Sequence, residues 1–232
     1  YIMCGVIGVW LERSTVSRDS LENIRLVENV FQQSMIRGKH ATGVSYIKNG
    51  EIHTIKEGIP CDQFLERYPI SSMVNEDGGI YLIGHIRYST SDLRYNQPFS
   101  NGNQSIVHNG VISQEDMSQW KYATETANDS ELILKSFEAN RHPLNDFSPA
   151  SMAVCSITKD KTLSAFRNEA RPLWYSARSN GVVFASTKDI LNRSGCGDTT
   201  QCGMYQSYIY NGELSVGKKI RGGALVRDLQ CS

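Results

Sequence analysis

Long apolar runs are what this 232-residue chain lacks most clearly. Its two most apolar stretches, residues 4–11 and 79–86, fall far short of the roughly 18 residues a membrane helix needs. No positive charge precedes the first of them, so the start does not have the pattern of a secretory signal, and a cytoplasmic protein is expected. Net charge is also missing. With 24 Lys+Arg against 24 Asp+Glu, the chain has no surplus of cations for nucleic acid or a membrane surface. A metal site has no ligand spacing to rest on. The five histidines are scattered, and Cys196 and Cys202 flank a small polar loop without a CxxC pair or a nearby His. Without export, the six cysteines are expected as free thiols, and no cofactor is implied. Repeats, low-complexity tracts and long linkers are absent too. One domain over residues 1–232 is the simplest organisation, and 40% hydrophobic residues suffice for a substantial core.

What is present is a strand-rich pattern. Residues 3–10 are β-branched and apolar with Gly5 and Gly8 interposed, which predicts a buried strand. Asp19 with Glu22 three residues on fits a helix N-terminal cap, and Leu21, Ile24, Val27, Phe31 and Met35 recur at helical spacing up to Gly38. Strands are expected at 43–47 and 52–56 across an Asn49-Gly50 turn, then at 80–88 and 105–108. A second helix starts near Asn128 or Asp129 and ends before Pro143. Beyond Ser151 the expected strands are 152–157, 163–166, 173–177, 181–185, 205–210 and 224–226. Two or three helices with about ten short strands, many without a polar face, predict two packed sheets covered by helices.

Four places could carry chemistry. Cys4, at the start of the first strand, is by default a buried thiol. As a true first residue it would carry an α-amine with a reference pKa of about 7.7–8.0, able to take the thiol proton, so nucleophile and base would share one residue. Arg87, at the end of a strand, is either a surface cation or a planar donor fork for a carboxylate, with Thr90 adding a hydroxyl. Asn109-Gly110 is either a turn or two adjacent donors for a developing oxyanion. Asp129 is either a helix cap or the acceptor of a substrate ammonium.

The order of these features resembles the class II glutamine amidotransferase domain, a group of N-terminal-nucleophile hydrolases. The matching stretches are MCGVIGV at 3–9, RGKHATGV at 37–44, GHIRYST at 84–90, QPF at 97–99, HNGVI at 108–112 and NDSELIL at 128–134, with weaker echoes at 165–176 and 184–191. The resemblance spans nearly the whole chain. It implies an α+β fold, a four-layer αββα sandwich with two packed, mainly antiparallel sheets covered by helices. It also implies hydrolysis of the L-glutamine side-chain amide to glutamate and ammonia through a thioester on Cys4. Arg87, helped by Tyr88 and Thr90, would bind the α-carboxylate and Asp129 the α-amino group. Asn109 and Gly110 would form the oxyanion hole, while Arg37 and Gly38 would shape the pocket beside the nucleophile. Charge recognition at both ends would tell free glutamine from amides within proteins.

Three features depart from or refine that pattern. His40 stands where the family often has Asp. Tyr88 with Gln97-Pro98-Phe99 is more similar to the amidophosphoribosyltransferase branch than to the glucosamine-phosphate synthase branch. Tyr1-Ile2-Met3 precede the nucleophile, and with them attached the Cys4 nitrogen is an amide without useful basicity. The active form is therefore expected to start at Cys4. The ammonia acceptor is expected to be a separate synthase subunit or domain, and oligomeric state is not legible. The alternatives are an amidohydrolase for another γ-glutamyl or amide substrate, which need not use Arg87 and Asp129, and a non-catalytic regulatory subunit in which Cys4 stays blocked.

Overall fold

Thirteen strands in two antiparallel sheets make up the centre of the computed structural model, which describes residues 3–13, 21–89 and 95–217. The chain runs β1 (Gly5–Leu11), α1 (Leu21–Ser34), β2 (Ala41–Lys48), β3 (Glu51–Glu57), α2 (Cys61–Arg67), β4 (Ile80–Arg87), β5 (Phe99–Ser100) and β6 (Gln104–Val111). It continues through α3 (Glu131–Glu138), α4 (Pro143–Asp146), β7 (Ser151–Thr158), β8 (Leu163–Arg167), β9 (Trp174–Arg178), β10 (Gly181–Ala185), α5 (Lys188–Arg193), β11 (Thr200–Gln201), β12 (Ser207–Tyr210) and β13 (Leu214–Val216). The first sheet has the order β11-β9-β10-β1-β4-β2-β3, the second β13-β12-β8-β7-β6-β5.

Strand alternation sorts the apolar residues into three layers of core. On β1, Ile7, Val9 and Leu11 face α1, α2 and α5, packing with Val27, Phe31, Phe64 and Leu191. Val6 and Trp10 face the other way, into the space between the sheets, with Ile83, Val107, Cys155 and Phe184. The far face of the second sheet, with Ile106, Val154 and Phe166, is covered by Leu132, Ile133 and Leu134 of α3 and Leu144 of α4. A strand buried on both faces cannot show a polar side, which is why so many strands lacked one in the sequence. The result is the α+β, four-layer αββα arrangement that the sequence predicted.

Several local expectations shift. Helix α1 stops at Ser34, whose hydroxyl bonds back to the Val30 carbonyl, and a 3-10 turn (Met35–Arg37) carries the chain to Gly38. Leu21 lies on its exposed side, and the buried stripe runs instead through Asn23, Ile24, Leu26, Val27, Val30 and Phe31. Helices α2, α4 and α5 were not anticipated. At seven, four and six residues they are too short for a 3.6-residue period to emerge. The Asp19 cap, the 224–226 strand, Tyr1, Ile2, Thr90 and Cys231 lie outside the described residues. No helix among the described residues is long and apolar enough to cross a membrane.

Candidate active site

Strand register brings the first two predicted residues together. β1 and β4 pair with Gly5 opposite Ile86, so the next step outward sets Cys4 beside Arg87. β2 pairs on the other side of β4 with Ala41 opposite Arg87, which places the Arg37–His40 segment at the same sheet end. The Cys4 thiol donates to the Tyr88 carbonyl at 3.8 Å, and Arg37 Nε donates to the Cys4 carbonyl at 3.4 Å. The Val6 N–H, one residue inside β1, is held by Ser186 Oγ at 2.9 Å. Gly38 is needed for space. A Cβ there would stand 2.3 Å from the Arg87 carbonyl carbon, so only glycine lets this segment close on the end of β4.

Electrostatics at Cys4 are divided. Burial pushes the thiol above its ordinary range, opposed by the guanidiniums of Arg87, Arg37 and Arg171. Arg37 is itself buried, and its Nη2 has no partner; nor has the buried Nε of Arg171. Arg171 also lines a cleft of about 700 Å³ with Val111, Ile112, Ser113 and Ser151, at the end of β6.

Asn109 and Gly110 are not a turn. Both lie within β6, paired across from Ala153 and Met152 of β7. Asn109 is 2% exposed, yet its Nδ2 has no hydrogen-bond partner. A buried N–H left without an acceptor costs about 1–3 kcal/mol, so this amide is held there against stability. Gly110 has φ +143°, and a Cβ on it would meet the Ser151 carbonyl oxygen at 1.9 Å. Glycine is required here both for conformation and for room.

The open edge of β6 beside this pair is closed by a side chain. β5 pairs with β6 only at Phe99 and Ser100. Beyond them the Gln97 amide takes over, accepting from the His108 N–H at 2.6 Å and donating to its carbonyl at 3.1 Å. The His108 ring is fixed from both sides, by Ser130 Oγ at 2.8 Å on Nδ1 and the Ser151 carbonyl at 3.0 Å on Nε2. A carbonyl only accepts, so Nε2 carries the proton and Nδ1 accepts from Ser130. Burial pulls the His108 pKa down, and His85, facing it from β4, is pulled to about 3 by burial, Arg87 and His108. Two neutral imidazoles therefore join the sheets beside Asn109.

Asp129 does not cap α3 with its side chain. Its Oδ2 accepts from the N–H groups of Ile112 and Ser113 at 2.6 and 3.0 Å, just past β6. Asn128 and Arg87 meet at one acceptor: Asn128 Nδ2 and Arg87 Nη1 both donate to the Tyr95 carbonyl, at 2.9 and 3.2 Å, and Arg87 Nη1 also donates to Asn96 Oδ1 at 2.7 Å. The cation at the end of β4 and Asn128, the residue before Asp129, are thereby tied to one short segment. The sequence alone assigns no role to Gln97, Ser130, Asn96 or Arg171. Gln97 and Ser130 lay within the matched stretches 97–99 and 128–134, and Arg171 within the weaker echo at 165–176, so a signal for each was present. Among the described residues no three His, Cys, Asp or Glu side chains could together hold a metal ion.

Layers and topology define a four-layer αββα fold of two packed antiparallel sheets covered by helices. Within it, the chain is similar to class II glutamine amidotransferase structures. It matches the glutamine phosphoribosylpyrophosphate amidotransferase of B. subtilis, solved with ADP and GMP, at a TM-score of 0.74 and 16% identity over 94% of this chain and 49% of that one. An enzyme described as the allosteric regulatory enzyme of purine biosynthesis matches at 0.69 and 15% identity, again over 94% and 49%. The chain thus spans about half the length of these two. A glutamine aminotransferase class-II domain protein from Silicibacter pomeroyi matches at 0.54 and 12% identity, over 94% of this chain and 100% of that one. No protein-family model and no curated protein matches the sequence.

Proposed function

We propose that this chain is a glutaminase domain or subunit that hydrolyses the side-chain amide of L-glutamine, passing ammonia to a synthase domain or subunit. The observation that carries this reading is the buried Asn109 Nδ2, a donor held without an acceptor beside Gly110. Alternation along β6 sends the Gly110 N–H toward the same edge as that of His108, so the two donors can converge on one oxygen.

In the active form the chain begins at Cys4. A thiol whose pKa burial has raised needs a base, and its hydrogen-bond partner here is a carbonyl, which cannot serve as one. The α-amine of a terminal Cys4 takes the thiol proton as sulfur attacks the amide carbon. The carbonyl oxygen becomes an oxyanion held by Asn109 and Gly110. The C–N bond then breaks, the amine returns its proton to the leaving nitrogen, and ammonia departs from a glutamyl thioester. Water attacks that thioester, giving glutamate and the free thiol. Arg87, with Tyr88 and Thr90, takes the α-carboxylate, and Asp129 the α-ammonium through its second oxygen. Arg37 and Gly38 fix the wall beside the nucleophile.

The test is ammonia release from L-glutamine compared with asparagine and γ-glutamyl dipeptides, alongside intact-mass analysis of the active material. Glutamine should be strongly preferred, Cys4→Ala should be inactive, and Arg87→Ala should chiefly raise KM. Activity with residues 1–3 retained would contradict the shared nucleophile and base. Equal turnover of amides lacking a free α-carboxylate would favour a different amidohydrolase.

A further inference from the structure

The pairing of β2 with β4 ends at Ala41 and Arg87, yet the next residues of β4's strand end are still held. His40 takes part in this. The His40 backbone N–H donates to the Arg87 carbonyl at 3.0 Å, and its ring Nδ1 accepts the Ser89 N–H at 2.8 Å. The ring also packs on the Tyr88 ring, with centroids 4.9 Å apart. His40 therefore grips both neighbours of Tyr88, whose carbonyl takes the Cys4 thiol.

The side chain fills a place where backbone cannot serve. Gly38 closes against the Arg87 carbonyl, so the chain has already turned away and the imidazole nitrogen acts as one further rung of the ladder. Farther out, the Arg87 guanidinium is aimed by Asn96 and Tyr95. Its base depends on where residues 87–89 lie.

We infer that His40 is a positioning residue: through the Ser89 N–H it holds the end of β4 at the point from which Arg87 receives the substrate carboxylate. The substrate half of this inference rests on the glutaminase reading above; the structural half does not. With the acceptor lost, residues 87–89 leave the ladder and the carboxylate is held more weakly; the donors on β6 are untouched, and the thiol loses only a carbonyl contact that does not serve as its base.

Three variants in the active protein test it: His40→Ala, His40→Phe, which keeps a ring against Tyr88 without an acceptor, and His40→Asn, whose Oδ1 stands where Nδ1 did. His40→Ala and His40→Phe should raise KM for L-glutamine roughly tenfold, the scale of one hydrogen bond, with kcat within about twofold. His40→Asn should restore it. For 4-aminobutanamide, which is glutamine without its α-carboxylate, all variants should match the parent. An unchanged KM, or an equal loss on both amides, overturns the proposal. Amide hydrogen exchange at Ser89 gives a readout without turnover: protection should fall about tenfold in His40→Ala and His40→Phe and persist in His40→Asn. Protection independent of residue 40 overturns the proposal whatever the enzyme does. Protection that depends on residue 40, in a protein releasing no ammonia from glutamine, supports the anchoring of β4 and overturns the glutaminase reading instead.

Discussion

Two of the chain's five Asn-Gly dipeptides, at 49–50 and 109–110, do opposite things. The first joins β2 to β3. Both residues are left-handed, with φ of 53° and 69°, and Lys48 pairs directly with Glu51 across a two-residue turn. A Cβ on Gly50 would touch nothing within 4 Å. The second runs straight through β6, where Gly110 is jammed against the Ser151 carbonyl and the Asn109 amide is sealed from water without an acceptor. Local preference decided the first outcome. At the second, pairing with β7 and the Gln97 clamp on His108 override the turn preference and keep both residues in the strand. A turn-forming pair forced into a strand is a local rule broken, and such breaks concentrate at functional sites.

Mutations at the two pairs should separate fold from chemistry. Gly110→Ala should do the most damage, since it sets a Cβ 1.9 Å from backbone oxygen at a positive φ. A loss of roughly 3 kcal/mol or more, read by thermal or denaturant unfolding, is expected together with loss of activity. Asn109→Ala should lower kcat by roughly 10²–10³ while melting within a few degrees of the parent, because the amide removed has no hydrogen bond to lose. If kcat were unchanged, the oxyanion assignment would be wrong.

Acid should weaken the layer behind β6. His142, packed on Phe166 of β8, is held neutral by burial down to about 4, whereas in the unfolded chain it protonates from about 6.5. A depressed folded pKa means that the stability is full above the unfolded value and is lost as pH falls toward the folded one. On the order of 2 kcal/mol should be gone by pH 5 from His142 alone, with His85 adding loss in the same direction. A Tm series from pH 7.5 to 5 checks this. The smallest effect belongs to the hairpin. Gly50→Ala should cost about 1–2 kcal/mol, for a left-handed alanine with free space around it, and leave kcat and KM unchanged. A kinetic defect there would erase the contrast between the two pairs.

How far the sequence could be read followed the range of the forces involved. The hairpin at 49–50, the helix from Leu21 and most strands rest on periodicity and turn chemistry, which act within a few residues. Helices α2, α4 and α5 escaped because one or two turns leave too few positions to show a period. Cys4, Arg87, Asn109 and Asp129 stood out through the order of short matched stretches, and register explains how β1, β2 and β4 gather Cys4, Arg87 and Arg37 at one sheet end. The clamps are a different matter. Gln97 on His108, Asp129 on Ile112 and Ser113, and His40 on Ser89 are contacts across many residues of chain, decided only once two sheets face each other.

The most direct measurement is acid-quenched intact-mass and peptide mass spectrometry of the protein during turnover with L-glutamine. A chain whose first residue is Cys4, carrying a glutamyl group on that sulfur that builds up and decays with ammonia release, is the predicted result. Ammonia released with the adduct on another residue, or from chains in which Met3 still precedes Cys4, would contradict it.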